Sequence, residues 1–193
     1  GSGVGGFRKR YAEILPEDRS RLYQSILGSV AQAASATREL EADVEGYPAT
    51  RRFSCYIPDF ATVAGDTITL QLPALVSSIP TFTGRARQTP FAVGAADAAF
   101  EEVTVRFPEG YTQVEHLPGA FSFAAPDDPT RTWLVSAVSS RIEGGALVVK
   151  IRREVSPRIS SWYAPDVIEL VRDRSRRAAS RANRTLVVRR PKM

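Results

Sequence analysis

The chain contains the three side-chain types of a cysteine-nucleophile triad. Its one cysteine, Cys55, and its one histidine, His116, are followed by the aspartate pair Asp127 and Asp128. In such a triad a base takes the thiol proton so that the sulfur can attack. A reactive thiolate is usually stabilised by a helix N-terminus or a nearby cation. Cys55 instead lies on the apolar side of the alternating segment 53–57, so we expect an unreactive core residue.

The remaining members of this set predict no site of their own. His116 could titrate near neutral pH and act as a base or ligand. A zinc site usually needs three or four protein ligands, and one cysteine with one histidine does not supply them. Asp127 and Asp128 lie between Pro126 and Pro129, a composition typical of a solvated turn. We therefore predict no catalytic residue, no metal and no cofactor.

Two further groups of side chains could bind a partner. The aromatic residues Trp133, Trp162 and Tyr163 could line a carbohydrate or peptide surface, or they could belong to the core or cover a sheet edge. Arginines crowd the last predicted helix, and four of them form a candidate basic patch: Arg172, Arg176, Arg177 and Arg181. Cations near a helix C-terminus also complement its macrodipole, so a solvated face is the simpler interpretation of the arginines.

Composition bounds the class of protein. The 193 residues are 43% hydrophobic and 24% charged, with a formal net charge of +5. A net positive charge favours binding to the phosphates of a nucleic acid. However, lysine is rare while arginine and alanine abound, a bias that a GC-rich coding sequence imposes on any protein, so we expect no nucleic-acid partner. No stretch approaches the length of apolar residues that a membrane span needs.

The elements that position these residues are mostly strands. An amphipathic helix is predicted from Pro16 to about Ala34, from apolar residues spaced three and four apart. Alternation then predicts a hairpin whose first arm begins near Phe53, is interrupted at Pro58, and turns over residues 63–67. Residues 73–99 are rich in small residues and proline, and we predict an extended connection there.

The second half of the chain alternates more regularly. Strands are predicted around residues 103–107, 121–123, 132–139 and 146–153, the last two joined at Gly144 and Gly145. A helix from about Pro165 to Ala182 has Val167, Ile168, Leu170, Val171, Ala178 and Ala182 toward the core, and a closing strand covers 185–190. The pattern predicts a mainly β protein: an antiparallel β-sandwich with an amphipathic helix near each end. We treat 1–193 as a single domain, with 1–46 as N-terminal segment and helix, 47–160 as the sandwich, and 161–193 as helix and closing strand.

Several short motifs resemble one bacterial family. Residues 106–111, 114–118 and 145–150 are similar to the C-terminal domain of exported transglutaminase-like proteins, in which an N-terminal β domain and a transglutaminase-like core come first. Residues 56–61, 65–66, 87–91 and 185–188 extend the resemblance in the same order, so it covers nearly the whole chain.

This resemblance implies a non-catalytic accessory domain. The catalytic cysteine, histidine and aspartate of such proteins belong to the preceding core, so none is assigned to this chain. The implied partner is that core, on which the domain would pack or to which it would present substrate, and the implied location is periplasmic or at the cell surface. A glycan- or peptide-binding sandwich module is the alternative, and a basic nucleic-acid-binding module is a further one.

Overall fold

The computed structural model describes residues 11, 13–45, 50–72, 89–92, 99–125, 128–156, 162–163, 165 and 167–192. The chain divides into two compact units, Gly1–Phe60 and Ala61–Met193. The boundary between them falls inside the segment 47–160 that the sequence assigned to the sandwich. The two units are therefore separate compact parts of the chain.

Helix α1, Pro16–Val30, is the main element of the N-terminal unit. It begins with a proline in its first turn, and Glu17 and Asp18 place negative charge at its N-terminus, where the macrodipole favours it. Its apolar stripe buries Tyr23, Ile26 and Leu27. The helix ends four residues earlier than predicted, because Ala31 adopts an extended conformation while its N–H still bonds to the carbonyl of Leu27.

Four short strands complete this unit: β1 (Ser35–Ala36), β2 (Glu41–Asp43), β3 (Thr50–Arg52) and β4 (Cys55–Tyr56). They form two antiparallel pairs, β1 with β4 and β2 with β3. The long first arm predicted from Phe53 is wrong, since strand pairing stops at Tyr56. Asp59 has a φ of 52° directly after Pro58, and this turn separates β4 from the next strand.

Two four-stranded antiparallel sheets form the C-terminal unit. The first has the order β5-β6-β14-β9, built from β5 (Ala61–Ala64), β6 (Thr67–Gln71), β9 (Gln113–His116) and β14 (Thr185–Arg189). The second has the order β10-β11-β12-β8, built from β8 (Ala99–Arg106), β10 (Phe121–Ala124), β11 (Thr132–Glu143) and β12 (Ala146–Val155). A short pair joins β7 (Phe91–Ala92) to β13 (Trp162–Tyr163).

The two sheets pack face to face, as predicted for a sandwich. One buried cluster takes residues from both: Ile68, Leu70 and Leu72 with Leu186 and Val188 from the first sheet, and Leu147, Val149 and Ile151 from the second, joined by Phe107 and Tyr111. The alternating residues of β6 and β12 face this interior, as their period of two indicates. The mainly β fold class with a helix near each end is confirmed.

The hairpin predicted at Gly144 and Gly145 joins β11 to β12. The two glycines have φ values of 54° and 76°, the left-handed conformations that a two-residue hairpin turn requires. The Cβ of any other residue at Gly145 would also lie 3.1 Å from Cγ of Glu109. Glycine at this position therefore sets the register of the longest strand pair.

Helix α2, Val167–Ala178, packs on a second cluster that contains Trp133, Leu134 and Val155. Val155 lies on the same face of β12 as Val149 and Ile151, because alternate residues of a strand share a face. Helix α2 thus covers a part of the inner face of the second sheet that the first cluster does not reach. A 3-10 turn, Ala182–Arg184, leads from the helix into β14.

Helix α2 is shorter than predicted, and two of its predicted core residues are not buried. Leu170 is exposed, and Ala182 lies in the 3-10 turn with its side chain exposed. Ser175 takes the buried position instead, since Ile168, Val171, Ser175 and Ala178 form the face spaced three and four apart.

Among the described residues, no helix combines the length and apolar character needed to cross a membrane.

Leu186 is fully buried on β14. Truncating its side chain should therefore lower the free energy of unfolding considerably. We expect Leu186→Ala to lower the free energy of unfolding by about 2–5 kcal/mol, because it removes buried methyl groups and leaves a cavity. The same change at Leu170, which is 40% exposed, should cost less than about 1 kcal/mol. Urea denaturation of both variants checks this, and equal costs would contradict the assignment of the interior.

Candidate functional site

The cysteine of the candidate triad lies in the N-terminal unit. Cys55 begins β4, where it pairs with Ala36 of β1. Its side chain is half-buried and belongs to neither of the two hydrophobic clusters. The expectation that Cys55 is a core residue is therefore wrong, because the strand that was to bury it is only two residues long.

His116 and Asp128 lie in the C-terminal unit, and both have hydrogen bonds that stabilise turns. Nε2 of His116 donates to the carbonyl oxygen of Ala182 at 2.9 Å. The Asp128 carboxylate accepts hydrogen bonds from the hydroxyl and the N–H of Thr130, and these lower its pKa. Asp127 lies outside the described residues. No group of three or more His, Cys, Asp or Glu side chains in the described ranges could hold a metal ion.

The three aromatic candidates are not brought together as an exposed surface. Trp133 is 3% exposed and packs in the cluster under α2, so it is a core residue. A β-bulge turns it there: Phe123 pairs with Leu134 and Ala124 with Thr132, which leaves Trp133 as the extra residue, and such a bulge re-aims a side chain. Trp162 and Tyr163 form β13, but their side chains lie outside the described residues.

The four arginines of the candidate basic patch have different environments. Arg172 is mostly buried and pairs with Glu169, while Arg177 pairs with Asp173 at 2.9 Å. Arg176 and Arg181 are exposed. Alternating charges of this kind are typical of a solvated helix face, so the structure brings only part of the predicted patch to the surface.

A row of polar side chains crosses the inner face of the second sheet, and sequence analysis missed it. Ser136, Arg153 and Glu101 are register partners on three neighbouring strands, β11, β12 and β8. Arg153 is 2% exposed and lies between Ile151 of the first cluster and Val155 of the second. The sequence does contain a signal for this row, since Arg153 interrupts the run of alternating apolar residues on β12.

This polar row holds the 3-10 turn that joins α2 to β14. Nη2 of Arg153 donates to the carbonyl oxygen of Asn183, next to the carbonyl that His116 reaches. The Asn183 side chain donates to the carbonyl of Arg177 at 2.6 Å and accepts from the N–H of Gly119 at 3.2 Å. The helix, the turn and the closing strand are thus fixed by one set of hydrogen bonds.

Burial shifts the pKa values of the two charged residues in this row. Burial raises the pKa of Glu101, and the attraction of Arg153 opposes that rise. Burial also lowers the pKa of Arg153, Glu101 opposes this, and the repulsion of Arg184 adds to it. The half-buried Glu101 and the buried Arg153 thus attract each other across the strand pair, while Oε2 of Glu101 and Nε of Arg153 have no hydrogen-bond partner among the described residues. The position of Arg153 between two hydrophobic clusters identifies it as a structural element.

Clefts occur in the N-terminal unit. One of about 680 Å³ lies beside α1 and is lined by Tyr11, Arg19, Ser20, Tyr23, Ala36, Thr37, Arg38, Glu39 and Leu40. A second of about 450 Å³ is lined by Arg38, Glu39, Glu41, Arg51, Arg52, Phe53 and Ser54. Both clefts share Arg38 and Glu39. Their aromatic, arginine-rich lining makes them the candidate binding site of the chain.

Removing Arg153 should be costly, because it removes the hydrogen bond to the Asn183 carbonyl and the positive charge that opposes the burial of the Glu101 carboxyl, and it leaves a cavity between the two clusters. We expect Arg153→Ala to lower the free energy of unfolding by about 3–5 kcal/mol. Arg152, next to it on the opposite and exposed face, pairs with Glu154 at 3.6 Å, and Arg152→Ala should cost about 1 kcal/mol or less. Chemical denaturation compares the two, and a small cost at Arg153 would contradict its structural role.

The raised pKa of Glu101 predicts a pH dependence of stability. The folded state binds the Glu101 proton more tightly than the unfolded state, so this contribution is complete below about pH 4.3 and is lost as the pH rises through the folded pKa. The free energy of unfolding of the unmodified protein, relative to Glu101→Gln, should therefore fall with rising pH in that window. Glu102→Gln, on the exposed face of the same strand, controls for loss of a charge. A difference that rises with pH would contradict the prediction.

Comparison with known proteins gives no family for this chain: no protein-family model, no curated protein and no solved structure matches it. The residues and their geometry therefore carry the functional proposal.

Proposed function

We propose that this chain is a non-catalytic accessory domain of an exported transglutaminase-like protein, packing on the catalytic core of the same parent chain or presenting substrate to it. The motif order at residues 106–111, 114–118 and 145–150 supports the family. The mainly β fold suits such a domain. A periplasmic or cell-surface location is part of the proposal.

Exposed apolar side chains of the N-terminal unit carry this proposal. Among its described residues, the large apolar side chains that are buried are Tyr23, Ile26 and Leu27, whereas those that are exposed are Leu15, Phe53, Tyr56 and Phe60. Large apolar side chains that are exposed on one short segment can contact a partner. Three of the four exposed residues lie on the short segment 53–60. This segment is the proposed docking surface for the catalytic core.

The hydrogen bonds of His116 and Asp128 support a structural role for both side chains. Nε2 of His116 is committed to a main-chain carbonyl, and the Asp128 carboxylate is committed to Thr130. The hydrogen bonds of both residues serve the sandwich and its connecting turns.

The docking surface is tested by titrating this chain against the separately expressed catalytic core of the parent protein, by calorimetry. We expect saturable association with a negative heat-capacity change, because apolar surface is buried. The double variant Tyr56→Ser/Phe60→Ser should weaken the association about tenfold or more, since exposed aromatics are typical interface hot spots.

Phe100→Ser is the matched control for this experiment. Phe100 is 59% exposed on β8 of the C-terminal unit and stacks with Arg152, so its loss should leave the affinity unchanged. No association by a folded chain, or an equal loss in the control, would overturn the proposed surface.

A further inference from the structure

The two clefts of the N-terminal unit adjoin one another along a single stretch of chain. The segment between β1 and β2 lines the first cleft with Thr37, Arg38, Glu39 and Leu40, and Arg38 and Glu39 also line the second. Behind them, the Tyr23 hydroxyl donates to the carbonyl of Arg38 at 2.7 Å. Tyr23 is itself buried on α1. Helix α1 thus holds this segment in place through Tyr23, and both clefts lie along the segment.

The charge along these clefts favours an acidic ligand. Four arginines line them against two glutamates: Arg19, Arg38, Arg51 and Arg52 against Glu39 and Glu41. Four arginines against two glutamates leave an excess of two positive charges in the lining of the clefts. The Arg38 side chain is exposed and has no hydrogen bond or ion pair within the described residues. A guanidinium with free donors binds carboxylates in a bidentate manner.

Aromatic side chains flank these arginines. The Arg19 guanidinium lies 5.3 Å from the centre of the Tyr11 ring, which holds it at the wall of the first cleft. Phe53 lines the second cleft, and its ring packs edge-on against Tyr23 at 6.4 Å. Apolar surface next to each basic group suits a ligand in which acidic and apolar side chains alternate.

The main chain between the clefts favours an extended ligand. The N–H of Thr37 bonds to the carbonyl of Ser54, whereas Glu39 and Leu40 make no bond between main-chain groups outside the strand pairs in the described part of the chain. Exposed main-chain donors and acceptors in an extended segment can pair with an added strand. Alternate side chains of that strand would then point into the flanking clefts.

We propose that this double cleft binds an extended acidic segment of polypeptide. Its main chain pairs with Glu39 and Leu40, one of its carboxylates is held by Arg38, and its apolar side chains rest against Tyr11 and Phe53. The proposal goes beyond docking on the catalytic core, since it uses Arg38 and the clefts rather than Tyr56 and Phe60. The two surfaces share Phe53, but the variants that test them change different residues, so the two proposals can fail separately.

The test uses the full chain and a capped hexapeptide of alternating glutamate and valine, titrated by calorimetry and by amide NMR. We expect saturable binding with shifts at the amides of Glu39 and Leu40. Arg38→Gln should weaken binding about tenfold or more, as expected for a lost charge-assisted hydrogen bond. Arg38→Lys, which keeps the charge without the planar fork, should fall between the two.

Arg21→Gln is the matched control, because Arg21 lies on α1 with a side chain 87% exposed, pairs with Asp18 at 3.3 Å and lines neither cleft. It should bind like the unmodified protein, and circular dichroism should show each variant folded. A second peptide, in which glutamine replaces each glutamate, lacks the carboxylates. If this glutamine–valine peptide binds as tightly as the glutamate–valine peptide, or if the glutamate–valine peptide does not bind, the proposal is wrong. Inorganic phosphate or a single-stranded oligonucleotide that shifts the same amides while the acidic peptide does not would also overturn it.

Discussion

The buried Arg153 guanidinium is the constraint on which the C-terminal unit depends. It lies on β12 between two hydrophobic clusters, and an arginine in that position is tolerated only with charge compensation and hydrogen bonds. Glu101 supplies the charge from β8, and the Asn183 carbonyl accepts a hydrogen bond from the turn after α2. The position of α2 therefore depends on a polar contact, while the burial of its apolar face supplies most of the stabilisation.

That contact links the two parts of the interior. The turn held by Arg153 is followed directly by β14, whose Leu186 and Val188 lie between the sheets. His116 of the edge strand β9 reaches the same turn, and β9 pairs with β14. The His116 side chain thus contributes a hydrogen bond that helps to hold this turn.

The N-terminal unit differs from the sandwich in how its residues are buried. Its strands are two or three residues long, its buried apolar residues come mainly from α1, and aromatic residues remain exposed on 53–60. Small units bury a small fraction of their surface, and so they retain surface available for partners. The clefts around Arg38 lie in this unit. The proposed docking surface and the proposed peptide site therefore both belong to it, and the sandwich supplies the stable part of the chain.

Much of the fold followed from the sequence by itself. Alternation fixed the inner faces of β6 and β12, the double glycine fixed the hairpin after β11, and the spacing of Tyr23, Ile26 and Leu27 fixed α1, because these signals are local. Tertiary structure alone decided the rest. The bulge that buries Trp133 and the pairing of Arg153 with Glu101 depend on register between strands distant in sequence. The end of β4 at Tyr56 left Cys55 half-buried, and the clefts around Arg38 arise where α1 meets two short strand pairs. Such features depend on non-local contacts, which periodicity in one segment does not encode.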